Sequence, residues 1–509
     1  MPNRYYSPKT TILYLSVIII VLSVLRLGQY ISKPFWEQYD WNSNTWSLIA
    51  KNYIYRGFIC TKFGQAITSD LREPCDNLTY YQNHPVMVPV LVMISYKILG
   101  VQDTSARIIF IIISVLSSLV LYAIGITLFN RCVGLFAAIS FILTPMYSRY
   151  GKLINHEPVV LFLSLLTTYL FIGWIRRCNN LYYYLYLLIA FFIGITGWHG
   201  YLLYPLFSIL IFIKFPGLFL KSMYPNLILF AAFLLHLLHS AYLSGFAHLP
   251  IVYWFAVRTS LLKNASVASE ITDFTFLSYL HYLRIKLYSL LTPTLCLGSI
   301  FYLFHLLINQ LRGVLPQLKH QVTITLLLFA LSIVVIFSQQ VRNHEYILYY
   351  FLPFVSLSTA SFVESILNHK PYALVYIIYC LLLVIISIQA KPTLVSFNKK
   401  INPYYFSQIN LAQKISLLSG RRFLLTFCDK NGIGPQLFNY AFGKRLRCMH
   451  LTVPLFMQKR LELEQNYDYI IIESRTYNRS LLSALNSLYN KREYNSFNVF
   501  AVSCINNCF

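Results

Sequence analysis

The side chains able to do chemistry gather in a few short stretches of an otherwise apolar chain. Asp40 stands just before Trp41, and His84 lies in Tyr80-Tyr-Gln-Asn-His-Pro85. Arg149, Lys152, His156 and Glu157 share the run Tyr147-Ser-Arg-Tyr-Gly-Lys-Leu-Ile-Asn-His-Glu-Pro158. His199 sits in Gly197-Trp-His-Gly-Tyr201, and Arg342, His344 and Glu345 in Val341-Arg-Asn-His-Glu-Tyr346. Carboxylates can take a proton from a hydroxyl, and cations can hold a phosphate whose charge grows as a bond to it breaks. Asp40 and Glu157 are therefore the candidate catalytic carboxylates. His84, Arg149, Lys152, His156, Arg342 and His344 are the candidates for holding a phosphate-bearing substrate, Arg as a fork and Lys as a point charge. Plainer roles compete: Asp is a preferred N-cap residue for a helix opening at Trp41, Glu157 suits the first turn of the run that follows Asn155, and Arg149 and Lys152 can snorkel to lipid headgroups.

His84, His156 and His199 with Glu157 are of the residue types that bind zinc, but no histidine spacing matches a metal-binding signature. No metal or other cofactor is assigned, and a divalent cation is the one inorganic partner this set would suit. Gly432-Ile-Gly434-Pro resembles the start of a dinucleotide loop, yet Leu437 stands where the third glycine belongs, so it reads as a turn. Cys60 and Cys75 flank one polar loop and Cys428, Cys448, Cys504 and Cys508 lie in the C-terminal part, where disulfides suit the composition. The other cysteines fall in or beside apolar runs, so the set is no disulfide framework.

What must position these groups is a membrane scaffold. Of 509 residues 57% are hydrophobic and only 11% charged, which excludes a soluble enzyme. Apolar runs near 11–27, 106–129, 133–147, 158–175, 181–197, 201–215, 224–243, 286–309, 321–338, 346–366 and 372–389 predict a polytopic α-helical membrane protein with about eleven transmembrane helices. Threading them alternately puts Arg131, Arg176, Arg177, Lys214, Lys221, Arg312, Lys319 and Lys370 in short loops on one side, which the positive-inside rule makes cytoplasmic. All the candidate residues then face the other side. Segments at about 30–103 and 245–285 are expected as interfacial helices of a transmembrane domain covering 1–390. Residues 391–509 alternate β-rich runs (Phe423–Cys428, Tyr469–Glu473, Phe497–Val502) with helical patterns (Gln408–Leu418, Leu455–Leu463, Ser480–Tyr489), which predicts a small extracytoplasmic α/β domain with a mostly parallel sheet. Lys+Arg of 41 against Asp+Glu of 17 gives a net charge of +24, suited to membrane lipids and phosphate-bearing ligands and poorly to nucleic acid at this hydropathy.

These motifs also resemble a known family. Asp40 before an interfacial helix, His84-Pro85, Ala106-Arg107 opening a span, Tyr147-Ser-Arg, Glu157-Pro158 and Asn343-His-Glu-Tyr-Ile-Leu-Tyr-Tyr-Phe-Leu-Pro353 look like the bacterial members of glycosyltransferase family 39 and the related aminoarabinose lipid A transferases, over residues 35 to 360. That family usually carries an acidic pair where this chain has Asp40-Trp41, and an acid near Asn83-His84. The resemblance implies a GT-C fold and an inverting hexosyl- or pentosyltransferase in the cytoplasmic membrane. Such an enzyme moves a sugar from a polyprenyl-phosphate carrier to a hydroxyl of a lipid, glycan or protein on the outer face. Asp40 would be the base, and no strong general acid is needed because the polyprenyl phosphate is a good leaving group. A transporter or flippase of a lipid-linked sugar is the alternative. It would carry acidic or polar groups inside its spans, which here are nearly free of acids.

Overall fold

Each of the eleven apolar runs forms a helix in the computed structural model, which describes residues 8–35, 39–245, 275–314, 316–367, 370–399, 403–418, 422–425, 435–448, 454–455, 458–459, 463, 466–473, 479–489, 491–494 and 497–501. Most of the segment expected at 245–285, the glycines 432 and 434, and Cys428, Cys504 and Cys508 lie outside the described residues. Among the described residues eight helices are long and apolar enough to cross a membrane: Thr10–Leu27, Asp103–Leu128, His156–Arg177, Pro216–Ser244, Pro293–Leu311, Leu318–Ile336, Glu345–Leu367 and Leu374–Phe397. Arg131–Leu143, Asn180–Gly194 and Trp198–Lys214 are apolar but shorter.

Proline explains where helices end earlier than the apolar pattern does. A run expected to reach 147 stops at Leu143, because Thr144 before Pro145 is extended (ψ 149°) and a new helix, Pro145–Tyr150, starts there. The run expected at 286–309 is two helices, Phe276–Leu291 and Pro293–Leu311, separated by Thr292 at φ 75°. Close approach sets other contacts. A Cβ on Gly125 would lie 2.4 Å from the Gly134 Cα, so the helices on either side of the Asn130 turn pack backbone against backbone.

The chain divides into two compact units, the first comprising residues 1–32, 82–88 and 104–399. Hydrogen bonds define the two ends of its helical bundle. At one end Arg176 bonds the Thr127 carbonyl, the Asn130 amide donates to Glu364 at 2.6 Å, the Tyr183 hydroxyl donates to the Lys221 carbonyl at 3.0 Å, and Lys319 lies over the Phe129 ring. The loop cations of the positive-inside argument are at this end. At the other end the Trp198 indole donates to the Asn83 carbonyl at 3.0 Å, Gln82 meets His236 and Ser240, and Lys152 bonds the Gln29 carbonyl.

The second unit gathers residues 33–81, 89–103 and 400–509, so most of the polar stretch expected with the transmembrane domain clusters instead with the C-terminal residues. The polar stretch carries the helices Asp40–Tyr55 and, continuing from Met87 in the first unit, Met87–Leu99, a two-residue ladder of β1 (Gln65–Ala66) with β2 (Tyr80–Tyr81), and a Cys60–Cys75 disulfide. The C-terminal residues form β3 (Arg422–Leu425), β4 (Arg445–Cys448), β5 (Tyr469–Glu473), β6 (Lys491–Tyr494) and β7 (Phe497–Ala501), in the spatial order β4-β3-β5-β7-β6. Strand alternation puts Phe423, Leu425, Ile471 and Val499 on one face with Leu411 and Ile415 of the helix Pro403–Leu417. Leu424, Ile470 and Phe500 face the other way, onto Leu481 and Leu485 of the helix Arg479–Leu488. The expected mostly parallel sheet is mixed: β3 runs parallel to β4 and β5, whereas β7 is antiparallel to both β5 and β6. Only residues 495–496 join β6 to β7, far fewer than a parallel crossover needs. The polar stretch is sewn onto these residues by Asn439 donating to Asn44 at 2.9 Å, Lys51 to the Asn439 carbonyl at 2.7 Å, and Gly443 N–H to the Ser69 carbonyl at 2.8 Å.

Candidate active site

The run 147–158 builds its part of the site through local chemistry. The Thr144 hydroxyl caps the helix Pro145–Tyr150 by accepting from the Tyr147 N–H at 3.2 Å, which fixes Arg149 in its last turn. Gly151 then turns the chain where only glycine fits, since a Cβ would meet the Leu27 side chain at 2.9 Å and the Tyr147 carbonyl at 2.7 Å. The Ser114 hydroxyl donates to its carbonyl at 2.6 Å, tying the turn to the helix Asp103–Leu128. Asn155 is extended and precedes the helix His156–Arg177, but its side-chain oxygen meets the His156 Nδ1 at 3.1 Å rather than capping that helix. Glu157 is 2% exposed in the first turn, where the helix dipole favours an anion.

Glu345 is the hub of this end of the first unit. One carboxylate oxygen accepts from Arg149 at 3.2 Å and from the Tyr150 hydroxyl at 2.6 Å, and the other meets the Lys286 ammonium. The Arg149 guanidinium is sandwiched further by rings, 4.0 Å from the Phe397 centroid and 5.3 Å from that of Tyr150. Two cations on one carboxylate leave the cluster with one positive charge in surplus.

Beside it, the His84 and His156 rings lie 4.0 Å apart. A Cβ on Gly197 would lie 3.2 Å from the Val160 side chain and 3.4 Å from the His156 Cβ, and His199 packs its ring on Phe337 and Tyr350. His344 stacks on Tyr346 at 5.1 Å, and the Arg342 carbonyl accepts from the Tyr282 hydroxyl. Lys152 reaches the Gln29 carbonyl and lies 5.9 Å from the Tyr30 ring. The structure thus pairs His84 with His156, next to Glu157, and gives Arg149 a carboxylate partner. Among the described residues no three His, Cys, Asp or Glu groups come together as a metal site, so the set His84, His156, His199 and Glu157 is not assembled as ligands.

Asp40 belongs to the second unit. It is the first residue of its helix rather than the cap, which is Tyr39, and it accepts from the Ser43 hydroxyl at 3.0 Å while only 6% exposed. Tyr440 is close by: its hydroxyl accepts from the Phe35 N–H at 2.9 Å and donates to Asp103. Burial first, then the Asp103 charge and more weakly that of Asp40, raises the Tyr440 phenol well above its ordinary range. Burial lowers the Lys51 ammonium to about 8, partly opposed by Asp103.

Lys286, Tyr150 and Glu345 were not assigned in the sequence. The signal for Lys286 in the sequence is the pair of cations, Arg284 and Lys286, in the otherwise apolar run 276–291.

Residues 83–242 match the family model of dolichyl-phosphate-mannose-protein mannosyltransferases, and these residues include His84, Arg149, Lys152, His156, Glu157 and His199. No curated protein sequence matches the chain. Among solved structures, ArnT from Cupriavidus metallidurans bound to undecaprenyl phosphate superposes with a TM-score of 0.62 at 12% identity, covering 98% of this chain and 99% of that one. The chain has the GT-C fold. That fold extends to the oligosaccharyltransferase AglB of Archaeoglobus fulgidus, solved with an inhibitory peptide and a dolichol-phosphate, with a TM-score of 0.55 at 12% identity over 98% of this chain and 75% of AglB. The arabinofuranosyltransferase AftD from Mycobacteria matches with a TM-score of 0.51 at 11% identity, over 97% of this chain and 40% of AftD. A multi-pass membrane protein with this GT-C fold is what the apolar helices and these likenesses together establish.

Proposed function

We propose that the protein is a membrane glycosyltransferase that moves a sugar from a polyprenyl-phosphate carrier to an acceptor hydroxyl on the outer face of the cytoplasmic membrane. The observation that carries this reading is the Glu345 hub with its surplus cation, beside the His84–His156 pair and Glu157 at one end of the bundle, in a chain whose residues 83–242 match the mannosyltransferase model. Arg149 and Lys286 hold the donor phosphate, with Lys152, Arg342, His84, His156 and His344 completing the phosphate- and sugar-binding rim. Asp40 takes the proton of the acceptor hydroxyl. The acceptor oxygen then bonds to the anomeric carbon from the face opposite the phosphate, and the carbon–oxygen bond to the phosphate breaks with its electron pair leaving on the carrier. One displacement inverts the anomeric centre. The growing phosphate charge is met by fixed cations, so no strong acid is required. Glu157 orients the acceptor or its histidine neighbours.

The cation-rich bundle end at Arg176, Lys319 and Lys221 supports a cytoplasmic assignment for that side, and the Cys60–Cys75 disulfide supports an oxidising compartment for the polar stretch. Residues 391–509 then form an extracytoplasmic domain. The transporter reading is weaker, because among the eight spans the acids, Asp103, Glu157, Glu345 and Glu364, all lie in a first or last turn. Purified protein supplied with a panel of radiolabelled polyprenyl-phosphate sugars and extracted envelope lipids should release the polyprenyl phosphate and label one acceptor class. Binding of donor with no transfer to any acceptor, together with donor translocation in vesicles, would replace the enzyme by the transporter.

A further inference from the structure

At the bundle end away from the candidate active site, three helices leave a groove open between them. The helices Leu203–Lys214, Pro293–Leu311 and Leu318–Ile336 enclose about 610 Å³, within the range of small-molecule sites. Its walls are apolar, with Leu210, Leu303 and Ile324 among them, and its mouth carries Lys214, Gln317 and Lys319. Both lysines sit at helix termini, Lys214 in the last turn of one helix and Lys319 in the first turn of an antiparallel neighbour. Among the described residues neither has a carboxylate within ion-pair distance, and Lys319 rests over the Phe129 ring 5.6 Å away.

We propose that this groove is a binding site for one anionic glycerophospholipid of the adjacent leaflet, an acyl chain lying along Leu210, Leu303 and Ile324 and the headgroup phosphate between Lys214 and Lys319. Three features argue for that occupant. Two walls belong to helices long and apolar enough to cross a membrane and the third to a shorter apolar helix, so an acyl chain suits the space between them. The polar lining residues Lys214, Asn309, Gln310, Gln317, Lys319, His320 and Gln321 gather at or just beyond the three helix ends, and Thr325, two turns in, donates its hydroxyl to the Gln321 carbonyl. The charge there is positive and unopposed, which discriminates an anionic from a zwitterionic headgroup, and basic pockets between transmembrane helices recognise anionic headgroups in this way. The site is independent of the proposed transfer reaction, since none of its residues is placed in the catalytic or donor-binding rim.

Native mass spectrometry of the full-length protein in detergent, titrated with dioleoylphosphatidylglycerol or dioleoylphosphatidylcholine, tests it. One lysine near a membrane surface contributes roughly fivefold in affinity, so the wild type should prefer the glycerol lipid by about thirtyfold. Lys214→Ala with Lys319→Ala should erase that preference, and Lys214→Arg with Lys319→Arg should keep it, which separates headgroup recognition from folding. Leu210→Trp, which fills the groove without changing charge, should weaken binding of the glycerol lipid, while Lys221→Ala, at the same end but outside the groove, should not. Equal binding of both lipids by the wild type, or an undiminished preference in the double alanine variant, overturns the proposal. So does displacement of the glycerol lipid by undecaprenyl phosphate at lower concentration than by itself, which would make the groove a carrier site.

Discussion

Glu345→Gln is the most informative single change, because one carboxylate holds two cations and a phenol. Arg149 and Glu345 have side chains only 8% exposed, so their pair is buried, whereas Lys286 is 34% exposed and its attraction is screened by solvent. Breaking a buried pair from one side strands the other charge and costs about 3–5 kcal/mol. The exposed share from Lys286 adds no more than about 1 kcal/mol. The amide can still accept from the Tyr150 hydroxyl, but its NH₂ must face an ammonium or guanidinium, so the loss should fall near 3–5 kcal/mol in all. Unfolding of such a chain in detergent is read as a rate, so the assay is the half-life of tertiary structure at a fixed temperature, followed by intrinsic fluorescence. If the hub opens before the unfolding barrier, the half-life falls by about two orders of magnitude or more. Arg149→Met alone leaves Glu345 with the more exposed Lys286 and the Tyr150 hydroxyl, and combined with Glu345→Gln it should cost clearly less than the two separate losses added together. A half-life for Glu345→Gln within about twofold of wild type, or strictly additive losses, would show that the hub is not a coupled buried cluster.

Asp40→Asn should reduce transfer at least about a hundredfold while leaving affinity for a non-hydrolysable donor analogue unchanged, and retention of more than about a tenth of the activity would leave Asp40 as a helix-opening residue. Lys51 has a folded-state pKa of about 8, below its ordinary value, so between pH 8 and that value the unfolded chain binds a proton that the folded chain lacks. Stability should therefore rise across that window, by up to about 1.4 kcal/mol per pH unit, and Lys51→Met should flatten the rise; a flat wild-type profile refutes the assignment. In a background keeping only the Cys60–Cys75 pair, cysteine at Ser407 should react with an impermeant maleimide added outside intact cells and cysteine at Asn179 should not. The opposite pattern inverts the topology and moves the site to the cytoplasm.

The helices were legible in the sequence because membrane length and apolarity are local properties, and all eleven runs are helical. Their breaks were less so: Thr144-Pro145 and Thr292-Pro293 interrupt runs that remain apolar on both sides, and only proline chemistry, not hydropathy, marks them. Strands β4 and β6 were missed since Arg445-Leu-Arg-Cys448 and Lys491-Arg-Glu-Tyr494 are edge strands with charged residues, which look like loops until their partners are known. In the site, residues carried on one local run were found together. The Glu345 hub was not, because its members are separated by 59 and 195–196 positions and nothing local announces the pairing.

That separation also bears on how the protein is made. As the chain is made from its N-terminus, Arg149 and then Lys286 arrive before the carboxylate they share in the finished structure, and Glu345 emerges last. Long cationic side chains reach water or headgroups readily from a helix end, so both can wait at the bundle end where the finished hub lies. Synthesis therefore closes on a late pairing: the helical segment that opens at Glu345, by delivering one acid, joins two short helices made much earlier. A chain halted before residue 345 would carry both cations without the acid that joins them, so the hub can close only when most of the chain has been made.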